Sequence, residues 1–143
     1  MEIETKRTVL LVEDHPPERE MVRRALVGQD FHVETAVDYL GAVAYLTNHV
    51  PHLICLDLTL PRESGFELCE YIRKDPRLKF VPVMVVSDRS SPEDMAHAEH
   101  VGANAFLKKP FTRDKLIKYV VALLDGPHAS RPSIRRLRRS DAP

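Results

Sequence analysis

Five short apolar runs alternate with longer amphipathic segments along the first 125 residues, and this alternation constrains the fold more than any other feature of the chain. The runs are rich in Val, Ile and Leu, which is typical of strands buried on both faces of a sheet. Strands that alternate with helices favour βα units and a parallel sheet. The predicted strands are Thr8–Val12, Phe31–Ala36, Leu53–Leu56, Val81–Val86 and Ala105–Leu107.

The segments between the runs carry helix signals. The first is predicted from Pro17 to Gly28, and Asp38, Ser64, Ser91 and Thr112 stand where N-caps of the other four are expected. Right-handed crossovers leave few topologies, so we predict an α/β fold with a doubly wound five-stranded parallel sheet and five helices. The predicted inward-facing residues are Met21, Val22, Ala25 and Leu26; Leu40, Val43, Ala44 and Thr47; Leu68, Cys69 and Ile72; and Leu116, Ile117, Val120, Leu123 and Leu124.

Polar side chains follow four of the five predicted strands. Glu13-Asp14, Asp57, Ser87 and Lys109 stand at these ends, and ligands of doubly wound sheets bind at the carboxyl ends of the strands. Three carboxylates without His or Cys suit a hard cation such as Mg²⁺. A lysine and a serine beside such a site can hold phosphoryl oxygens. The pattern therefore indicates phosphoryl transfer to a nucleophilic carboxylate.

These residues lie in four motifs that stand in a familiar order. They are Val9–Asp14, Leu56–Pro61 followed by Ser64-Gly65, Val85–Ser87 and Gly102–Phe111. Over residues 8–125 the chain resembles the receiver domain of two-component response regulators, which has the chemotaxis-type flavodoxin-like fold. The resemblance implies a signalling phosphoacceptor rather than an enzyme with a separate substrate, although such a domain assists its own aspartyl phosphorylation and dephosphorylation.

The resemblance also implies a role for each acidic residue. Asp57 would accept a phosphoryl group from a histidine kinase. Asp14, Asp57 and the backbone carbonyl of Thr59 would bind Mg²⁺ directly, and Glu13 would act through a metal-bound water.

Further residues are implied to sense the phosphoryl group. Ser87 and Lys109 would contact its oxygens, and Phe106 would occupy the aromatic switch position. Gly65 would have a structural role in the acceptor loop. The Lys109–Pro110 peptide bond would be cis, as in the family.

The implied partners are a sensor histidine kinase or phosphotransfer protein and a downstream protein. The alternative is a pseudo-receiver, a module that keeps the fold and binds partners independently of phosphate. Retention of the whole acceptor set favours the phosphoacceptor. A metal-dependent aspartyl phosphatase is disfavoured, because such enzymes want a second acid two residues after the nucleophile, where this chain has Thr59.

Asp88 departs from the family pattern, which usually has a small residue directly after the hydroxyl position. A carboxylate there would lie near the phosphoryl entry path and would either repel anionic donors or attract the metal. An outward orientation that caps the next helix is favoured over this role, with Ser90 and Ser91 competing as caps.

Net charge divides the chain into two parts, a predicted domain over residues 1–125 and a basic tail over 126–143. The chain has 21 basic and 21 acidic residues, but the tail holds five Arg and one Asp. A disordered end or a linker is favoured over contacts with nucleic acid or a membrane.

No apolar run reaches membrane-spanning length, and the two cysteines, Cys55 and Cys69, stand in apolar surroundings. Both features favour a cytoplasmic protein with reduced thiols.

Overall fold

The computed structural model of the protein describes residues 5–126 and Ile134, and it confirms the predicted α/β architecture. Strands and helices alternate throughout. The strands are β1 (Thr8–Val12), β2 (His32–Ala36), β3 (Leu53–Leu56), β4 (Val83–Ser87) and β5 (Ala105–Lys108). The helices are α1 (Pro16–Val27), α2 (Tyr39–Asn48), α3 (Gly65–Lys74), α4 (Pro92–His100) and α5 (Arg113–Asp125).

All five strands are parallel and follow the order β2-β1-β3-β4-β5. The register aligns the strand ends that carry the polar residues. Val12 lies beside Ala36 on one side and beside Leu56 on the other, so Glu13 and Asp57 follow at the same height. Ser87 lies beside Lys108. The order reverses between β1 and β3, which is where ligands of such sheets bind.

Two apolar clusters cover the two faces of the sheet. Alternate residues of β1 enter different clusters: Leu10 packs on the side of α2, α3 and α4, whereas Leu11 packs on the side of α1 and α5. Ile134, beyond the last helix, is 2% exposed and belongs to the first cluster. The remaining residues of the predicted tail, apart from Gly126, lie outside the described residues.

Both cysteines are buried and free, as the sequence predicts. Burial raises the pKa of the Cys55 thiol to about 12 and that of the Cys69 thiol to about 11. The thiols are therefore protonated at neutral pH and behave as small apolar core groups.

The predicted inward-facing set of α2 is wrong except at Val43, which is half-buried and packs against the first cluster. Ala44 is exposed. Leu40 is 66% exposed and Thr47 is also exposed, whereas Ala42 and Leu46 are buried. Seven of its first eight residues are apolar or aromatic, so 3.6-residue periodicity does not single out one stripe. In α1 the predicted stripe is confirmed for Val22, Ala25 and Leu26, but Met21 is 49% exposed.

Strand bounds differ slightly from the sequence prediction. β2 begins at His32 rather than Phe31, and β4 runs from Val83 to Ser87 rather than from Val81. The apolar residues Phe31 and Val81 are buried outside the strands, which explains why their hydrophobicity extended the predicted runs.

A half-buried cation fastens the opposite edge of the sheet, where the strands begin. Arg73 at the end of α3 donates from Nε to the carbonyl of Gly102 at 2.9 Å and from Nη1 to that of Val81 at 2.7 Å. Its Nη2 contacts Oδ1 of Asn104 at 2.7 Å, and that oxygen also accepts the N–H of Val83 at 2.8 Å. Further acceptors of Nη1 are the carbonyls of Leu78 and Lys79.

Candidate functional site

The first acidic pair leaves the end of β1 in a fixed loop. The N–H of Glu13 donates to the carbonyl of Ala36 at 3.0 Å. Arg19 of α1 donates to the carbonyls of Glu13 and Asp14, at 2.9 and 3.3 Å. The Glu13 side chain is buried and that of Asp14 is exposed. The pair therefore places one carboxylate inside the site and one at its rim.

Asp57 lies at the centre of this edge. Only 7% of the residue is exposed, and its N–H donates to the carbonyl of Val12 at 3.1 Å. Its Oδ1 accepts the N–H of Thr59 at 3.0 Å. The carboxylate is therefore held by its own loop through one oxygen, and the second oxygen faces the other functional groups.

Gly65 allows the start of α3 to approach the Asp57 loop. The N–H of Gly65 donates to the carbonyl of Leu58 at 2.9 Å. A Cβ at this position would lie 2.2 Å from the carbonyl oxygen of Asp57 and 2.8 Å from Cα of Leu58. Because both obstacles are backbone atoms, no side-chain rotation relieves the clash.

Glu13, Asp14 and Asp57 form a group with the composition of a divalent-cation site. One carboxylate oxygen from each lies within 4.8 Å of the others. The all-carboxylate donor set fits Mg²⁺, a hard cation that prefers oxygen ligands. Thr59 lies beside the group, and its carbonyl as a metal ligand stays a prediction.

Lys109 brings the end of β5 into contact with these carboxylates. Its Nζ lies 2.7 Å from Oε1 of Glu13 and 2.8 Å from Oδ2 of Asp57, and it also contacts Oε2 of Glu18 on α1. Burial lowers the pKa of Lys109, but the hydrogen bonds from the three carboxylates outweigh this effect and leave the pKa raised. The ammonium group is therefore the positive centre of an acidic site.

For the pKa of Glu13, burial outweighs the hydrogen bond with Lys109. Burial raises the pKa of its carboxyl to about 8, even though the hydrogen bond with Lys109 lowers it. A hydrogen bond with Glu18 and repulsion from Asp57 also raise this pKa. Among the described residues, the carboxylates of this site therefore carry more negative charge than Lys109 neutralises, and a bound divalent cation would relieve this imbalance.

The predicted switch residues are buried. Ser87 is fully buried, and its Oγ accepts the N–H of Arg89 at 3.1 Å. Phe106, on the neighbouring strand, is 1% exposed. The Lys109–Pro110 peptide bond is cis. In this state Ser87 bonds to its own loop, and the aromatic ring lies inside the fold.

Two residues at this edge were not predicted from the sequence. Glu18 contacts Lys109, and Arg19 holds the loop of the acidic pair. Acidic residues are common in the first turn of a helix, so nothing in the sequence around Glu18 distinguished it from a solvated charge. Its contact depends on where β5 places Lys109 relative to α1.

Asp88 is exposed and lines a cavity of about 340 Å³ together with Glu18, Met21 and Lys109. It does not cap α4. That position belongs to Ser91, whose side chain accepts the N–H of Asp94 at 3.1 Å.

Comparison with known proteins gives one family. The response regulator receiver domain matches residues 9–121. Response regulator Rre1 of Synechocystis sp. is 35% identical over 124 residues, which cover 86% of this chain and 54% of Rre1. The chain spans about half the length of the curated relatives that it matches.

Solved structures show the same fold. Chemotaxis response regulator CheY4 of Vibrio cholerae has a TM-score of 0.80 and 32% identity, and the match covers 84% of this chain and 100% of CheY4. The receiver domain of a sensor histidine kinase from Pseudomonas aeruginosa PAO1, with a magnesium ion coordinated in its active site cleft, has a TM-score of 0.78 and 24% identity. That match covers 84% of this chain and 98% of the other. Within the described part of this chain, no helix combines the length and apolarity needed to span a bilayer.

Proposed function

The chain belongs to the response regulator receiver family of two-component systems, and on this premise we propose that it is a phosphoacceptor switch in which Asp57 receives a phosphoryl group. The observation that carries the proposal is the contact of Asp57 Oδ2 with Lys109 inside the group of three carboxylates. This arrangement unites a nucleophile, its cation and a metal-binding set at the switch point of the sheet.

In the proposed reaction, a carboxylate oxygen of Asp57 attacks the phosphorus of a phosphohistidine on a kinase or phosphotransfer protein. The new O–P bond forms as the P–N bond breaks, and the electron pair of the P–N bond stays on the imidazole nitrogen. The product is an acyl phosphate on Asp57. The N–H of Thr59 keeps the carboxylate oriented through Oδ1, at 3.0 Å.

Mg²⁺ would be held by Asp14 and Asp57, with Glu13 beside them, and with the Thr59 carbonyl as the further ligand. When bound, it supplies positive charge that offsets the negative charge on the phosphoryl oxygens. Lys109 adds its own charge, because its Nζ lies 2.8 Å from Oδ2 of Asp57. The lysine therefore lies where it would meet a phosphoryl oxygen once Asp57 is modified.

The output of the switch would begin at Ser87. A phosphoryl group adds nearly two negative charges and three acceptor oxygens. Ser87 Oγ now accepts the N–H of Arg89, and its O–H would donate to a phosphoryl oxygen, which would draw the hydroxyl toward Asp57. Movement of the β4–α4 loop would change the packing around Phe106 and so the surface of α4, β5 and α5. A downstream protein would bind one of the two arrangements.

The proposed setting of this switch is a receiver unit over residues 1–125 in the cytoplasm. A sensor histidine kinase or a phosphotransfer protein would supply the phosphoryl group. The family match over residues 9–121 supports the extent of the unit.

The test is the response to beryllofluoride, which mimics a phosphoryl group on aspartate, followed through amide resonances. With Mg²⁺, we expect resonances of Ser87, Phe106 and Lys109 to shift in the wild type. Asp57→Asn should abolish the shifts, and Asp114→Asn, on the exposed first turn of α5, should retain them. A folded wild type that does not respond would favour the phosphate-independent pseudo-receiver.

A further inference from the structure

Glu18 makes a contact that the proposed mechanism does not use. It lies in the first turn of α1, and Oε2 of its half-buried side chain accepts a hydrogen bond from Lys109 Nζ. Glu13 and Asp57 also accept from this nitrogen. A lysine ammonium has three donors. The three carboxylates therefore occupy the full donor capacity of Lys109.

Phosphorylation of Asp57 would affect the three hydrogen bonds of Lys109 differently. Asp57 would carry the phosphoryl group, so its contact would pass to a phosphoryl oxygen. Glu13 belongs to the three-carboxylate group that could hold a metal ion. Glu18 does not belong to that group, which contains Glu13, Asp14 and Asp57 among the described residues. Its Oε1 lies 3.7 Å from Nδ1 of His15, and its carboxylate also contacts Glu13. These contacts keep Glu18 beside Lys109, which donates to Oε2.

Glu18 also changes the charge of the site. Glu13, Asp14 and Asp57 carry three negative charges when ionised, and Lys109 offsets one of them. Glu18 adds a fourth carboxylate at the mouth of the site, where it lines the same cavity as Asp88 and Lys109. An anionic phosphodonor that approaches through this cavity meets that additional negative charge.

We propose that Glu18 is a positioning residue that holds Lys109 in the unphosphorylated domain and competes with the phosphoryl group for its ammonium. The proposal rests on the proposed function. Glu18 sets how readily Asp57 is phosphorylated by restraining the cation that must turn to the phosphoryl oxygens. It contacts Lys109 rather than the reacting atoms.

The test compares Glu18→Gln with Glu20→Gln. The first variant keeps the length of the side chain and removes its charge. The second is a matched control on the same helix, because Glu20 pairs with Arg23 and Arg24 instead of the site. We expect Glu18→Gln to raise the rate of phosphorylation by acetyl phosphate by about three- to tenfold. Its half-saturating beryllofluoride concentration should fall by a similar factor, and Glu20→Gln should match the wild type.

A metal-free measurement separates positioning from general stability. In Glu18→Gln the side-chain resonances of Lys109 should shift at a fixed pH with no Mg²⁺ present, and in Glu20→Gln they should not. Glu18→Asp, which keeps the charge on a shorter side chain, should shift Lys109 but give a smaller gain in rate. Rates for Glu18→Gln equal to or below the wild type would overturn the proposal.

The proposed function has its own failure, which the same experiment identifies. If the folded wild type is not phosphorylated, or if Asp57→Asn is phosphorylated equally well, the phosphoacceptor proposal fails and the role of Glu18 fails with it. If the wild type responds and Asp57→Asn does not, an unaltered rate in Glu18→Gln rejects the role of Glu18 alone.

Discussion

Lys109 and Arg73 are cations at opposite ends of the strands of one sheet: Lys109 lies at the edge where the strands end, and Arg73 at the edge where they begin. Their hydrogen-bond partners differ in kind. Arg73 is surrounded by backbone carbonyls and the side-chain oxygen of Asn104. Lys109 contacts only carboxylates among the partners described for its Nζ, namely Glu13, Glu18 and Asp57. Backbone carbonyls are neutral acceptors that the fold holds in place, whereas carboxylates can also bind metals and protons or accept a phosphoryl group.

This difference indicates that the two cations have different roles, Arg73 in stability and Lys109 in switching. The Arg73 edge joins the end of α3 to the loops before β4 and β5, so it fastens the elements that carry Ser87 and Lys109. The Lys109 edge holds charge that is not balanced. A cation with fixed partners stabilises the fold, and one with exchangeable partners is suited to a switch.

Loss of each cation should lower the stability of the fold by a different amount. Arg73→Met should lower the free energy of unfolding by about 3 kcal/mol, because several carbonyls lose a charged donor. Lys109→Met should cost only about 1 kcal/mol, since Glu13 can take a proton and Asp14 and Glu18 reach solvent. Urea unfolding without Mg²⁺ measures both values. Equal losses would contradict this difference in roles.

A second prediction uses one glycine from each edge. Gly65→Ala and Gly102→Ala should each cost about 2 to 3 kcal/mol. In the first, Cβ meets backbone of the Asp57 loop at 2.2 Å. In the second, φ is +105° and Cβ meets Cγ of Arg73 at 2.6 Å.

The two variants should separate in function. At a temperature where both are folded, Gly65→Ala should slow acetyl phosphate labelling of Asp57, and Gly102→Ala should leave it at the wild-type rate. Thermal unfolding and labelling of the same samples give both readouts. Slow labelling in Gly102→Ala would show that the two edges are not independent.

Sequence reasoning succeeded where the chain order itself carries the information. Consecutive apolar runs predict a parallel sheet, and parallel strands bring Asp14, Asp57 and Lys109 to one edge without any knowledge of packing. For α2 the prediction holds only at Val43. Apolar residues surround this helix, so periodicity predicts an inward position for Leu40, which is exposed. Sequence reasoning also missed Glu18, because its contact depends on the position of α1 relative to β5.

The third prediction concerns pH. Because burial raises the pKa of Glu13 from 4.5 to about 8 in the folded protein, the folded state binds more protons than the unfolded state between these values. The stability of the wild type relative to Glu13→Gln should therefore fall as the pH rises through this window. The slope should be at most about 1.4 kcal/mol per pH unit.

Two controls sharpen the pH experiment. Glu20→Gln should show no such slope, because Arg23 and Arg24 lower the pKa of Glu20 to about 2, and its titration lies below the window. Saturating Mg²⁺ should flatten the wild-type curve, since the ion favours ionised Glu13. A slope that is unchanged by Mg²⁺ would place the titrating group outside the site.

The smallest expected effect is that of Asp88→Ala. Asp88 is exposed and shares the cavity with Lys109, so its charge is largely screened by solvent. We expect the rate of labelling by acetyl phosphate to rise by up to about threefold at low salt and to approach the wild-type rate at high salt. Identical rates at low salt would remove Asp88 from the phosphodonor path.

Phosphorylation of Asp57 is tested most directly by the intact mass of the protein after incubation with acetyl phosphate, followed by peptide mapping. We expect a gain of one phosphoryl group that requires Mg²⁺, lies on the peptide containing Asp57 and is absent from Asp57→Asn. A folded wild type that gains no phosphoryl group under these conditions, or gains one at another residue, would show that Asp57 is not the phosphoacceptor.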